Sequence, residues 1–294
     1  MDRINAARRY TEQRLDQAWA LASARLRRRS GVPSFDGEPR FAIITVNAST
    51  TRYLKLMLLT LVEQQGLDLV PEIVLVDNGS RDKGLPFLRS LARRVDRIRV
   101  LELHLFKNHA RGMRAGVRAM TPSANIALFC DPDVVWRNPE TLLDLAAVLV
   151  AHDGAIAGEP RGMRSTNPDI QASFFAVRRD VLDRPGVRPP VNHGWPLLWL
   201  QADVVEAGLT VVQFPSNSGG YILHRGRTAV AATREFTPHR SYATAATRDP
   251  HYMGVPGGDR IWAEIEARHA ALLEADAESQ LVDLLADRLG TVRT

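Results

Sequence analysis

The chain has a single cysteine, Cys130, in 294 residues. One thiol supports neither an intramolecular disulfide framework nor a cysteine-built metal site, and such a chain suits a reducing compartment. Long apolar runs are also missing: none approaches the roughly 20 residues needed to span a bilayer. The N-terminal stretch is charged from Asp2 and Arg3 onward and has no signal-peptide-like apolar region. The expected location is the cytoplasm, with any membrane contact peripheral and at the inner face. Neither internal repeats nor disorder-prone composition is present, since 45% hydrophobic and 24% charged residues describe an ordinary globular protein. A net charge of +5 favours anionic partners such as phosphates, nucleotides or anionic lipid. Helix-turn-helix, zinc and RNA-binding signatures are all lacking, so nucleic acid is not the expected partner.

The pattern that is present divides the chain in three. Residues 1–39 read as a basic helical arm and linker, with a weak apolar stripe ending at Arg27, Arg28 and Arg29. Residues 40–230 alternate strand and helix, and split into halves at 40–136 and 137–230. "FAIITVNA", "PEIVLVDNGS", "RIRVLELH" and "NIALFC" read as strands. The stretches after them, including "HARGMRAGVRAM" and "NPETLLDLAAVLVAH" with Asn138 as its cap, read as helices. "GAIAGEP", "QASFFAVRRDVL", "LTVVQFP" and "GYILHRG" read as shorter strands. Residues 231–294 read as loop followed by an amphipathic helix or helix pair. Repeated strand–helix units predict a mostly parallel sheet flanked by helices, and such sheets bind ligands beyond the carboxyl ends of their strands. Three strands end there in polar residues: Asn47, then Asp77 and Asn78, then Asp131 and Asp133.

Asp131 and Asp133 flank Pro132, which encourages a turn and can aim both carboxylates into one site. Left alone they repel; a hard divalent cation such as Mn²⁺ or Mg²⁺ removes that cost. The competing reading is a turn cap beside a solvated carboxylate. "FKNHARGMR" places Lys107, His109, Arg111 and Arg114 at the third strand–helix junction, where a helix N-terminus adds donors for phosphate.

In "FAIITVNAST", "EIVLVDNGSRD" and "FCDPDVVWRNPETLLDL" the sequence resembles the family 2-like GT-A glycosyltransferases, well over roughly residues 40–150 and loosely over 151–230. The resemblance implies an α/β, Rossmann-like GT-A fold with terminal helical extensions, and a nucleotide-diphosphate-sugar donor. It implies that Asp77 reads the nucleotide base, with Asn47 and Asn78 beside it, and that Asp133 holds the metal with Asp131 assisting. It also implies that His224 approaches the metal or the diphosphate, with Arg225 beside the phosphates.

The resemblance breaks at the acceptor side. Inverting members carry a Glu-Asp pair before an Ala-Gly at a helix end; counting back from Ala207-Gly208 lands instead on Pro196 and Leu197. His193 and Asp203 are the nearby candidates for general base, and Trp195 and Trp199 are candidates to flank a sugar acceptor. The leading expectation is a metal-dependent glycosyltransferase acting on a carbohydrate or other hydroxyl acceptor. The alternatives are a donor-binding protein without transfer and a nucleotidyl transferase, although "VNASTTRYLK" lacks the glycine-rich phosphate loop of the latter. The basic arm and the acidic C-terminal helix, with Glu264, Glu266, Glu274, Asp276, Glu278, Asp283 and Asp287, suggest pairing within a subunit or across a homodimer. The rival expectation lays the arm on an anionic membrane.

Overall fold

The computed structural model describes residues 37–104, 108–161, 169–190, 197–226, 228 and 250–292. The basic arm, Lys107, His193 and Trp195 lie outside the described residues. In chain order the elements begin with β1 Phe41–Asn47, α1 Thr51–Leu61, β2 Glu72–Asp77, α2 Leu85–Arg94, β3 Ile98–Glu102 and α3 His109–Ala119. Next come β4 Ile126–Cys130, β5 Val134–Trp136, α4 Thr141–Ala151, β6 Gly154–Pro160, β7 Ile170–Arg178, α5 Arg179–Leu182 and α6 Leu198–Glu206. The chain ends in β8 Thr210–Gln213, β9 Ile222–His224, α7 Gly258–Arg268, α8 Ala270–Leu273 and α9 Glu278–Leu289.

Seven strands form one sheet in the order β3-β2-β1-β4-β7-β6-β8. β7 runs antiparallel to both of its neighbours, while the other pairs are parallel. The inner strands read as unbroken apolar runs because helices cover both faces. Alternation along β1 sends Phe41 and Ile43 to one core, with α1, α2 and the C-terminal helices. Ala42, Ile44 and Val46 go to the other, with α3 and α6. α3 lies unusually close to β1: a Cβ on Gly112 would sit 2.7 Å from Val46 Cγ1, and one on Gly116 2.3 Å from Ile44 Cγ2. Four residues apart, these glycines share one helix face and together open room for the strand.

One local reading needs correction. Asn138 precedes α4 without capping it: its Oδ1 accepts from the amide of Glu140 at 2.9 Å, in a turn ahead of the helix. Three of the seven C-terminal acids pair with the sheet domain. Glu266 pairs with Arg52 and Glu278 with Lys55, while Asp283 pairs with Arg94 and Glu264 with Arg260 of its own helix. Apart from buried Lys55, these pairs are exposed and contribute little; α7 and α9 are held by buried Trp262, Leu281 and Leu285 in the core. No helix among the described residues is long and apolar enough to cross a membrane.

Candidate active site

The loops after β1 and β2 are stitched together at the carboxyl edge of the sheet. Ser80 Oγ accepts from Asn47 Nδ2 and from the Ser49 amide, both at 2.9 Å. Those bonds hold Ser49 at a positive φ of 61°, a conformation a non-glycine residue seldom adopts. Asp82 Oδ2 accepts from the Thr51 amide at 2.8 Å, which places a carboxylate at the positive end of the α1 dipole. Asn47 is fully buried, and its Oδ1 is taken by Thr50 Oγ1 at 2.8 Å. It therefore shapes this loop. Asp77 accepts from the amides of Gly79 and Ser80. Asn78 Oδ1 is buried with no hydrogen-bond partner among the described residues.

The aspartate pair emerges where β4 ends. The amide of Asp131 donates to the Ser173 carbonyl at 2.8 Å, and the Val134 amide to the Asp131 carbonyl at 3.2 Å, closing the turn through Pro132. β5 then pairs antiparallel with β9, setting Val134 opposite His224. This small second sheet brings a histidine about ninety residues away in sequence onto the pair. His224 Nε2 lies 3.3 Å from Asp133 Oδ1 and 3.6 Å from Asp131 Oδ2. His109 Nε2, at the start of α3, lies 3.8 Å from Asp131 Oδ1.

Three residues outside the motif complete this cluster. Thr228 Oγ1 donates to Asp133 Oδ2 at 2.7 Å. Asn217 Oδ1 accepts from the His224 amide at 2.9 Å, and the Asn217 amide is held by buried Glu159 at 2.6 Å. No spacing in the sequence marks these residues, because segments remote from the motif deliver them.

Burial pushes the Asp131 carboxyl up to about 6, with His109 and His224 pulling the other way and Asp133 adding to the rise. Burial also works against a charged Asp133, yet His224 and the Thr228 hydroxyl outweigh it and hold that carboxyl down at about 2. Burial opposes a charged His224 as well, but Asp133 and Asp131 raise its pKa. Two carboxylates and an imidazole, with ligand atoms all within 4.8 Å of one another, fit a divalent cation. The cation would take over the neutralising role of the imidazolium and lift the like-charge cost. The adjacent Cys130 thiol is pushed well up by burial and by both aspartates, so it is not a nucleophile.

Other expected residues fall around this centre. Arg111 stands in the first turn of α3, where Asn108 Oδ1 caps its amide at 2.7 Å. Arg114 turns inward: it is buried, and its Nη1 donates to the Pro190 carbonyl at 2.7 Å. It braces that segment. Arg225 follows His224 and lies over the Tyr53 ring at 4.9 Å. Asp203 is buried, with Oδ1 2.5 Å from Arg188 Nη2 and Oδ2 2.7 Å from the Arg188 amide. Trp199 lies under the same guanidinium, 4.5 Å from its ring centre. Both are thus committed to Arg188. Beside the metal-type cluster is a pocket of about 360 Å³ lined by Asp131, His224, Arg161, Asp169, Gln171, Ser173, Gln201 and Met253 among others.

A family model described as "Glycosyl transferase family 2" matches residues 41–190. Among solved structures, residues 1–349 of S. aureus TarS in complex with UDP-GlcNAc match with 17% identity and a TM-score of 0.50, over 85% of this chain and 72% of that one. The mannosyltransferase PcManGT from Pyrobaculum calidifontis, in complex with GDP-Man and Mn²⁺, matches with 16% identity and a TM-score of 0.50, over 95% of this chain and 92% of that one. At these identities the likeness establishes the fold, which is GT-A. No curated protein matches the chain.

Proposed function

The chain belongs to glycosyl transferase family 2, and from that premise we propose that this glycosyltransferase moves a sugar from a nucleotide-diphosphate donor to a hydroxyl acceptor, with Mn²⁺ or Mg²⁺ held by Asp131, Asp133 and His224. The observation that carries this reading is the convergence of those three side chains at the carboxyl end of β4. When bound, the cation offsets the negative charge that grows on the leaving diphosphate. Arg111 and Arg225 supply positive charge, His109 offers its imidazole to Asp131, and Lys107 precedes His109 in the sequence. Asp77 and Asn78 Oδ1, which has no partner among the described residues, are suited to the nucleoside end. The partly buried pocket next to the cluster suits the acceptor, with His193 and Trp195 assigned to the acceptor side by sequence.

A binding experiment tests the cation and donor parts together. UDP-GlcNAc and GDP-mannose serve as probes in thermal melts with and without Mn²⁺. A donor present at a hundred times its Kd stabilises the fold by about 2.7 kcal/mol. Such a shift, present with Mn²⁺ and absent in a folded Asp133→Ala variant, supports the reading. Equal shifts in wild type and variant contradict it.

A further inference from the structure

Asp131 and Asp169 are the two carboxylates that line the pocket beside the metal-type cluster. Asp131 faces His224, which commits it to the cation. We propose that Asp169 is the acceptor-side base, the group that takes the proton from the attacking hydroxyl; this rests on the glycosyl-transfer reading above. The position follows from the one reversed strand. β7 pairs antiparallel with β4, with Phe174 opposite Cys130, and the Ser173 carbonyl holds the Asp131 amide. Residues ahead of Phe174 therefore run on past the end of β4, over the space into which Asp131 opens. Four residues of extended chain, roughly 13 Å at about 3.3 Å each, lead from Ser173 back to Asp169. Asp169, Gln171 and Ser173 alternate along that run, and the pocket lining takes in the whole stretch from Asp169 to Ser173. Asp169 thus lines the same pocket as Asp131 and His224, the space assigned to the acceptor.

Gln201 fixes its direction. This buried α6 residue accepts from the Ile170 amide through Oε1 at 2.8 Å and donates to the Ile170 carbonyl through Nε2 at 3.1 Å. The same Nε2 lies 3.3 Å from Asp169 Oδ1. One amide therefore clamps the backbone beside Asp169 and one of its oxygens, and Oδ2 has no partner among the described residues. Asp203, by contrast, gives both oxygens to Arg188 and does not line the pocket. In the step itself the acceptor O–H bond breaks and its proton passes to Asp169 Oδ2. The acceptor oxygen bonds to the anomeric carbon. The bond from that carbon to the diphosphate oxygen breaks, and its electron pair leaves with the diphosphate.

The test uses the full chain with Mn²⁺, following nucleoside diphosphate release from UDP-GlcNAc and from GDP-mannose, with water and added methyl hexosides as acceptors. A positioned general base contributes about 10²–10⁴-fold. Asp169→Asn is expected to lower kcat at least about 100-fold while donor KM and the donor-induced melting shift stay at wild-type values. Asp169→Ala is expected to regain turnover when sodium formate supplies the missing carboxylate, which a purely structural role would not allow. Wild-type kcat in Asp169→Asn, or a loss in Asp169→Ala that formate leaves untouched, overturns the assignment. A folded wild-type chain that neither binds nor turns over these donors overturns the glycosyl-transfer reading and this assignment with it.

Discussion

The chemistry of the cluster turns on how unequally the protein treats two neighbouring carboxylates. Asp133 receives the Thr228 hydroxyl and the closer approach of His224, whereas Asp131 is only half-buried and has weaker compensation. Removing the Thr228 hydroxyl as Thr228→Val takes a hydrogen bond from a metal-facing carboxylate, and such outer contacts are worth about 10–100-fold in metal affinity. Mn²⁺ titration followed by electron paramagnetic resonance should show at least a tenfold loss; unchanged affinity would make the contact merely structural. The pH dependence follows from the same asymmetry. Asp131 is raised from 3.8 to about 6, so ionising it costs the metal-free fold stability as pH climbs through that window. The cation needs the ionised form and relieves that cost. Asp133, lowered from 3.8 to about 2, contributes stability above 3.8 and loses it only as pH falls through about 2, so it is constant across this range. Protons on Asp131 and His224 both compete with the cation. The Mn²⁺-induced rise in Tm should therefore be larger near pH 7.5 than near pH 5; an equal or reversed difference would contradict the assignment.

At the scale of elements, β1, β2 and β4 were legible because strands buried on both faces leave apolar runs that end in polar residues, as "IALFCDPD" does. The direction of β7 was not legible: its pairing with β4 is a long-range choice with no local signature, and that choice brings Asp169 to the site. The same holds for β9, whose three residues gain meaning only beside β5. Asp203 and Trp199 drew attention by residue type and helical position, but Arg188 sits between them, and an ion pair of that kind cannot be read from spacing. The close approach of α3 to β1 depends on Gly112 and Gly116. Gly116→Val would force its side chain into Ile44, and overpacking of this kind costs about 1–3 kcal/mol. A lower urea midpoint with an unchanged m-value checks this. Because α3 begins at His109, the same variant should also weaken Mn²⁺ binding, and full retention of both properties would show that the helix can shift freely.

For the whole molecule, the C-terminal helices close the face formed by α1 and α2 and reach the rim of the site. Trp262 packs at 6.1 Å between ring centres from Tyr53 and 6.4 Å from Tyr252, while Tyr53 lies beneath Arg225. Trp262→Ala should destabilise the fold by about 3–5 kcal/mol, read by chemical unfolding; a loss below 1 kcal/mol would mean these helices are only loosely docked. With Glu266, Glu278 and Asp283 already paired to Arg52, Lys55 and Arg94, charge gives less reason to seat the basic arm on the acidic helices than the sequence suggested. Sedimentation of a chain lacking residues 1–29 decides between a homodimer, whose mass would fall to that of a monomer, and a membrane-seated arm, whose full-length chain would pellet with anionic liposomes. The central claim is cation-dependent use of a nucleotide-sugar donor at Asp131, Asp133 and His224. The most direct measurement is nucleoside diphosphate release from a panel of nucleotide sugars by the wild-type chain and a folded Asp133→Asn variant, with Mn²⁺ or with chelator. The account predicts turnover of at least one donor by the wild type, abolished by chelator and absent in the variant. Turnover that survives both would contradict it.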